Sequence, residues 1–268
     1  MRLSYIILER LGSFLTPDDL YDRLAYLKAC GYDGVELNLT APFGLDEDRL
    51  QRWLVELGLI VPSFLTGEAY GDGLCLSAPD ADVRRRATER LIDYVAIAQR
   101  FQAKLVVGLL QGTRRDEPDP QVACQRIAEG LRRVIDVAEA RGVDVVIEPV
   151  NHLQVGFHNS VAEVLALCRE MGSPSLRPMV DTIHMNIEES SLIDPILACG
   201  ADLAHVHLCE SNGGVFGSGH IDFSAVLGAL RQIEYQGFAS VKVYRHASFT
   251  EAARSSITLL RDILAKGG

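Results

Sequence analysis

Four short apolar runs late in the chain each end at a side chain capable of polar chemistry. Val145-Val146-Ile147 leads to Glu148, Pro178-Met179-Val180 to Asp181, Ala204-His205-Val206 to His207, and Ala239-Ser240-Val241 to Lys242. Two carboxylates and an imidazole make a hard-to-borderline ligand set for a divalent cation. Three protein ligands also leave positions open for water or substrate oxygens, which Lewis-acid catalysis requires. Lys242 breaks the series. A charged ammonium binds no metal, but it neutralises a carboxylate or an enolate. The four residues are separated by 33, 26 and 35 positions, and each gap is about one β/α unit.

The elements that must carry them follow from periodicity. Short β-branched runs near 3–8, 33–38, 59–65, 104–110, 144–149, 177–182, 202–208 and 238–243 alternate with stretches of helical period. Those stretches lie near 18–30, 46–57, 81–101, 119–140, 160–171, 190–199, 222–233 and 249–265. Thr16-Pro17-Asp18-Asp19 and Ser77-Ala78-Pro79-Asp80 have the chemistry of helix starts. Gly31, Gly58, Gly142 and Gly237 are expected to close helices in the left-handed conformation. Eight β-then-α units in this length predict a single (β/α)8 barrel, one domain over residues 1–268. An open doubly wound sheet is disfavoured, because Leu8-Glu9-Arg10-Leu11-Gly12-Ser13 is no glycine-rich phosphate turn. In a barrel, all strand C-termini face one mouth and consecutive strands are neighbours. Glu148, Asp181, His207 and Lys242 are therefore expected side by side at the ends of strands five to eight.

Composition narrows the function. A net charge of −10 argues against a general nucleic-acid binder, which needs a basic face. Arg84-Arg85-Arg86 reads as a solvated helix face. Cysteines at 30, 75, 124, 168, 199 and 209 show no paired spacing and read as reduced, mostly buried thiols. No apolar run approaches the roughly 18 residues of a membrane span, so a cytoplasmic protein with no membrane partner is expected. Trp53 and Phe101 lie on helical faces and are expected in the core.

Three segments carry a family resemblance: Ile147-Glu148-Pro149-Val150-Asn151, Asp181-Thr182-Ile183-His184-Met185-Asn186-Ile187-Glu188-Glu189, and His205 to Asn212 with Gly217 to Phe223. On these the chain resembles the sugar isomerases and epimerases with a xylose-isomerase-like barrel, close to the ketose 3-epimerases. The resemblance implies that Glu148, Asp181 and His207 ligate a divalent cation (Mn, Mg or Co), that Glu148 is also a catalytic carboxylate, and that His184 contacts substrate. It also implies a small sugar or sugar-acid substrate and a homo-oligomer, dimer or tetramer. Asn151, His152, Gln154, Glu210 and Arg245 are candidate substrate contacts. So is Glu36, which ends the second strand and is expected to hydrogen-bond sugar hydroxyls at the mouth. His246 is expected to add positive charge beside Arg245, and His205 to pack in the core.

The chain departs from the family pattern at four places. His152 stands for an Arg, Gln154 for a second Glu, Gly213 for a substrate-contacting Arg, and Lys242 for the strand-eight Glu that is both ligand and second catalytic carboxylate. Three readings follow. The first is a metal-dependent isomerase or epimerase of a keto-sugar or sugar acid, working through an enediolate, with Glu148 and Lys242 as catalytic groups. The second is a lyase that decarboxylates a 3-oxo sugar acid on the same site. The third is a binding-only relative in which Lys242 replaces the metal.

Overall fold

The computed structural model of the protein describes residues 1–12, 16–44, 46–245 and 248–266. Eight strands, β1 (Arg2–Ile7), β2 (Gly34–Asn38), β3 (Ser63–Leu65), β4 (Lys104–Val107), β5 (Val145–Ile147), β6 (Leu176–Asp181), β7 (His205–Cys209) and β8 (Phe238–Lys242), pair in chain order. All pairs are parallel, and β8 returns to β1 to close the ring. The fold is a single (β/α)8 TIM barrel, as the sequence predicts.

Helices Pro17–Cys30, Glu47–Leu57, Ala81–Phe101, Pro120–Ala140, Val161–Met171, Asp194–Cys199, Phe223–Gln232 and Phe249–Lys266 surround the sheet. The first opens on a capping box in which Thr16 accepts from the Asp19 amide and the Asp19 side chain returns the bond. It closes on Gly31, whose φ of 93° lets its amide reach the Leu27 and Lys28 carbonyls. Gly237 does not play the expected part. Glu234 takes the left-handed conformation there, with φ 56°. Gly237 is small for another reason: a Cβ on it would meet the Tyr235 hydroxyl at 2.3 Å. Two further helices, Glu68–Gly71 and Thr182–Glu188, are set into the loops after β3 and β6 and escaped the periodicity reading.

The main apolar core lies between sheet and helices and includes Val35, Leu37, Leu105, Val145 and Val206 with Leu24, Leu91, Leu131 and Leu227. Trp53 and Phe101 are partly buried against it. A separate small cluster joins Val106, Val146, Met179 and Ala204. Much of the remaining barrel interior is polar: Ser4, Glu36, Ser63, His205 and Ser240 are all fully buried and joined by hydrogen bonds. All six cysteines are free. No helix among the described residues is long and apolar enough to cross a membrane.

Candidate active site

The barrel brings the four chemistry-bearing residues together. Glu148 follows β5 by one residue, Asp181 ends β6 and Lys242 ends β8, whereas His207 is the middle residue of β7, in register with Asp181. Lys242 Nζ lies 2.7 Å from Asp181 Oδ2 and 3.1 Å from Glu148 Oε1, and all three side chains are nearly inaccessible. Gly108, just past β4, leaves room for Glu148: a Cβ there would meet Oε2 at 2.6 Å. Burial alone would push the Glu148 carboxyl up, but the Lys242 ammonium and His207 hold it at about 2. Asp181 is lowered well below the carboxylate range by the same ammonium against the same burial. Burial works against the charge on Lys242, yet Asp181 and Glu148 raise it well above the usual lysine range.

One layer deeper, Glu36 is held from four sides. His205 Nε2 lies 2.7 Å from Oε1 and His207 Nε2 3.1 Å from Oε2. Ser63 donates to Oε2 at 2.5 Å, and Ser240 donates to Oε1. The carboxylate fixes the His207 ring: Nε2 carries a proton toward Glu36, which turns Nδ1 toward Glu148 Oε1 at 3.2 Å and Asp181 Oδ2 at 3.6 Å. Burial drives His207 toward the neutral form, but Glu36, Asp181 and Glu148 together raise it well above the usual histidine range.

The expectation that Glu36 reaches the mouth is therefore corrected. Glu36 is the third residue of β2, and Asn38 is the strand end that lines the mouth cavity. His205 is buried as expected, but as a hydrogen-bond partner of Glu36 rather than as apolar filling.

Above the cluster opens a cavity of about 230 Å³, lined on its polar side by Asn38, Thr66, Glu68, Glu148, Gln154, His184, Lys242 and Tyr244. His184 sits one turn into the helix that begins at Thr182, with Nε2 3.7 Å from Glu148 Oε1 and 3.8 Å from Asp181 Oδ2. Its Nδ1 lies 2.7 Å from Asn151 Nδ2, so Asn151 donates to it and Nε2 carries the proton. Asn151 thus orients His184 from outside the cavity. The other predicted contacts lie apart. His152 is exposed and pairs through Nδ1 with Glu188 at 2.5 Å. Glu210 spends both oxygens on backbone amides of its own loop, those of Ser211, Gly217 and Ile221. Arg245 is exposed, its amide bonded to the Gly213 carbonyl, and His246 lies outside the described residues.

Sequence reasoning missed Tyr244, whose ring centre is 5.3 Å from Lys242 Nζ. Strand alternation was the available signal, because residues two apart share a face. Asn38, Thr66 and Glu68 belong to the half of the barrel whose sequence resembles the family pattern only in placement.

The donor set passes a chemical test for a divalent cation. Glu148 and Asp181 present carboxylate oxygens, and His207 presents the nitrogen opposite its carboxylate-bound one, the arrangement that metal-bound histidines use. By proximity of ligand atoms two groups qualify among the described residues: Glu148, Asp181 and His184, within 4.8 Å of one another, and Glu36, His205 and His207. The second ring nitrogens separate them. Asn151 donates to His184 Nδ1, so His184 keeps its Nε2 proton toward the carboxylates. His207 can release its Nδ1 proton to a cation while Nε2 stays bonded to Glu36, and in the lower group Glu36 already uses both imidazoles.

Comparison with known proteins places this geometry. The model of the xylose isomerase-like TIM barrel family matches residues 24–263. A ketose 3-epimerase of Arthrobacter globiformis is 32% identical over 212 residues, 78% of this chain and 72% of that one. An L-ribulose 3-epimerase of Mesorhizobium japonicum is 28% identical over 250 residues, 92% of this chain and 83% of the other. A solved L-ribulose 3-epimerase structure shares the fold with a TM-score of 0.86 at 24% identity, covering 99% of this chain and 96% of that one. The chain belongs to the xylose isomerase-like TIM barrel family and stands among its sugar epimerases.

Proposed function

We propose that the protein is a carbohydrate epimerase or isomerase that moves a proton at the carbon beside the carbonyl of a small keto-sugar or sugar acid. The observation that carries this reading is the convergence of Glu148, Asp181, His207 and Lys242 on one point beneath the mouth cavity. A cavity of about 230 Å³ lies below the drug-sized range of roughly 300–1,000 Å³, which suits one monosaccharide rather than a polymer.

Glu148, Asp181 and His207 would hold a divalent cation of the Mn, Mg or Co type. Bound there, it supplies Lewis-acid polarisation of substrate oxygens. Glu148 then acts as the base that removes the proton beside the carbonyl, and His184 donates from Nε2 to a substrate oxygen. Lys242 meets negative charge, either the enediolate or a substrate carboxylate, because the field of Asp181 and Glu148 keeps it protonated. A charged Lys242 is no second base, so the chain lacks the opposed carboxylate pair of the family pattern. The named relatives are epimerases, so the lyase and binding-only readings gain nothing from them.

The test is turnover in heavy water, followed by NMR, with neutral ketoses and keto-sugar acids as substrates and added Mn. Deuterium should enter at the carbon beside the carbonyl, with an epimer or isomer as product. Sugar acids should turn over about tenfold to a hundredfold faster than neutral ketoses, the value of one charge-assisted contact. Release of carbon dioxide, or binding with no exchange, would end the epimerase reading.

A further inference from the structure

We propose that Lys242 and a divalent cation are alternative occupants of one seat between Glu148 Oε1 and Asp181 Oδ2, so that loading the metal turns the ammonium out into the mouth cavity, where it meets an anionic substrate. The inference rests on the three-donor cation site read above. Its basis is that the same two oxygens serve every partner. Lys242 Nζ is bonded to both, at 3.1 and 2.7 Å, and His207 Nδ1 faces both, at 3.2 and 3.6 Å.

A cation drawing on Glu148, Asp181 and His207 would stand where the ammonium now stands. Two cations do not share a volume this dry, because little solvent is present to screen their repulsion and Lys242 is 4% exposed. A glutamate at the same position would instead join the ligand set.

The ammonium has a way out. Its unbranched stem rotates freely, its side chain already lines the cavity, and the Tyr244 ring stands 5.3 Å from Nζ. An aromatic face receives a displaced cation. Once there, Lys242 is aligned with the substrate rather than with its own carboxylates. Metal and an anionic substrate therefore favour the same position of one side chain. Reciprocal coupling follows: each must tighten the other, and a neutral sugar must not share the effect.

Calorimetric titration of Mn²⁺ into the metal-stripped full-length protein tests this without reference to activity. Lys242→Met should bind Mn²⁺ about tenfold to a hundredfold more tightly than the wild type, since no ammonium has to be unseated. Lys242→Gln, which keeps a hydrogen-bond donor without the charge, should lie between them and serves if the Met variant folds poorly. In the wild type alone, gluconate should raise Mn²⁺ affinity at least about threefold while sorbitol leaves it unchanged, and Lys242→Gln should lose this coupling. Equal, measurable Mn²⁺ affinity in wild type and variants would overturn the shared seat and leave the metal-dependent epimerase reading standing. Binding by none of them would overturn both.

Discussion

Two buried carboxylate clusters stand one layer apart in this barrel, and they are satisfied in different ways. In the lower one, Glu36 is gripped by His205, His207, Ser63 and Ser240, side chains anchored in three strands, β3, β7 and β8. In the upper one, Glu148 and Asp181 share a single long lysine and a histidine already committed to Glu36. The lower cluster leaves His205 Nδ1 without a partner, and through His205 it borders a cavity among the strand starts, lined also by Arg2, Lys104 and Phe238. The upper cluster borders the mouth cavity directly, through Glu148 and Lys242. A rigid carboxylate–imidazole unit thus orients the nitrogen of His207, and a movable cation occupies the position that nitrogen faces. The lower layer is built to hold a geometry and the upper to exchange a partner.

The sharpest way to separate the two is to neutralise one carboxylate in each. Glu148→Gln removes the proton acceptor but keeps an oxygen for Lys242 and for a cation. It should lower kcat by about 10²–10⁴-fold, the usual contribution of a positioned base, while retaining some metal affinity by titration. Unchanged kcat would remove Glu148 from the chemistry and dissolve the contrast between the layers.

Glu36→Ala should do its damage on stability instead. It leaves His207 buried without the Glu36 counter-charge and His205 Nε2 without its acceptor, and breaking a buried ion pair from one side costs about 3–5 kcal/mol. Denaturant unfolding measures that loss. Activity should fall as well, because His207 loses the bond that orients its ring. A variant as stable as the wild type but unable to bind sugar would return Glu36 to the mouth, where the sequence pattern had put it.

That misplacement shows where sequence reading stops. Periodicity and end signals made the barrel legible, because each helix has to start at a cap such as Thr16 and stop at a residue such as Gly31. Gaps of one β/α unit were enough to assemble Glu148, Asp181, His207 and Lys242, since parallel closure makes sequence spacing into ring adjacency. Depth along a strand was not legible. Glu36 lies two residues short of the end of β2, and strand tilt sets it below the mouth while Asn38 takes the place assigned to it. The side-chain environment of Glu210 was equally hidden, because it depends on how the loop from Ser211 to Ile221 folds back. A motif match names such a residue without saying whether it faces substrate or its own backbone.

Glu210 therefore gives the smallest and most local test. Its Oε1 accepts the amides of Ser211 at 2.9 Å and Ile221 at 3.0 Å, and its Oε2 accepts that of Gly217 at 3.0 Å. Gly219 passes so close that a Cβ there would meet Oε1 at 2.4 Å. Burial pushes the carboxyl up, but the amides of Ile221, Ser211 and Gly217 outweigh it and lower it below the ordinary 4.5. A carboxyl lowered by folding adds stability above its unfolded value and loses it as pH falls through the folded one. Glu210→Gln turns one acceptor into a donor facing other donors, and should cost about 1–2 kcal/mol at neutral pH. The gap between wild type and variant, read from urea unfolding, should narrow as pH drops below the ordinary carboxylate range, since the variant has nothing to titrate there. kcat should change little and KM modestly, through the loop alone. A large loss of kcat/KM with a pH-independent, near-zero stability difference would make Glu210 a substrate contact and place a third carboxylate at the mouth.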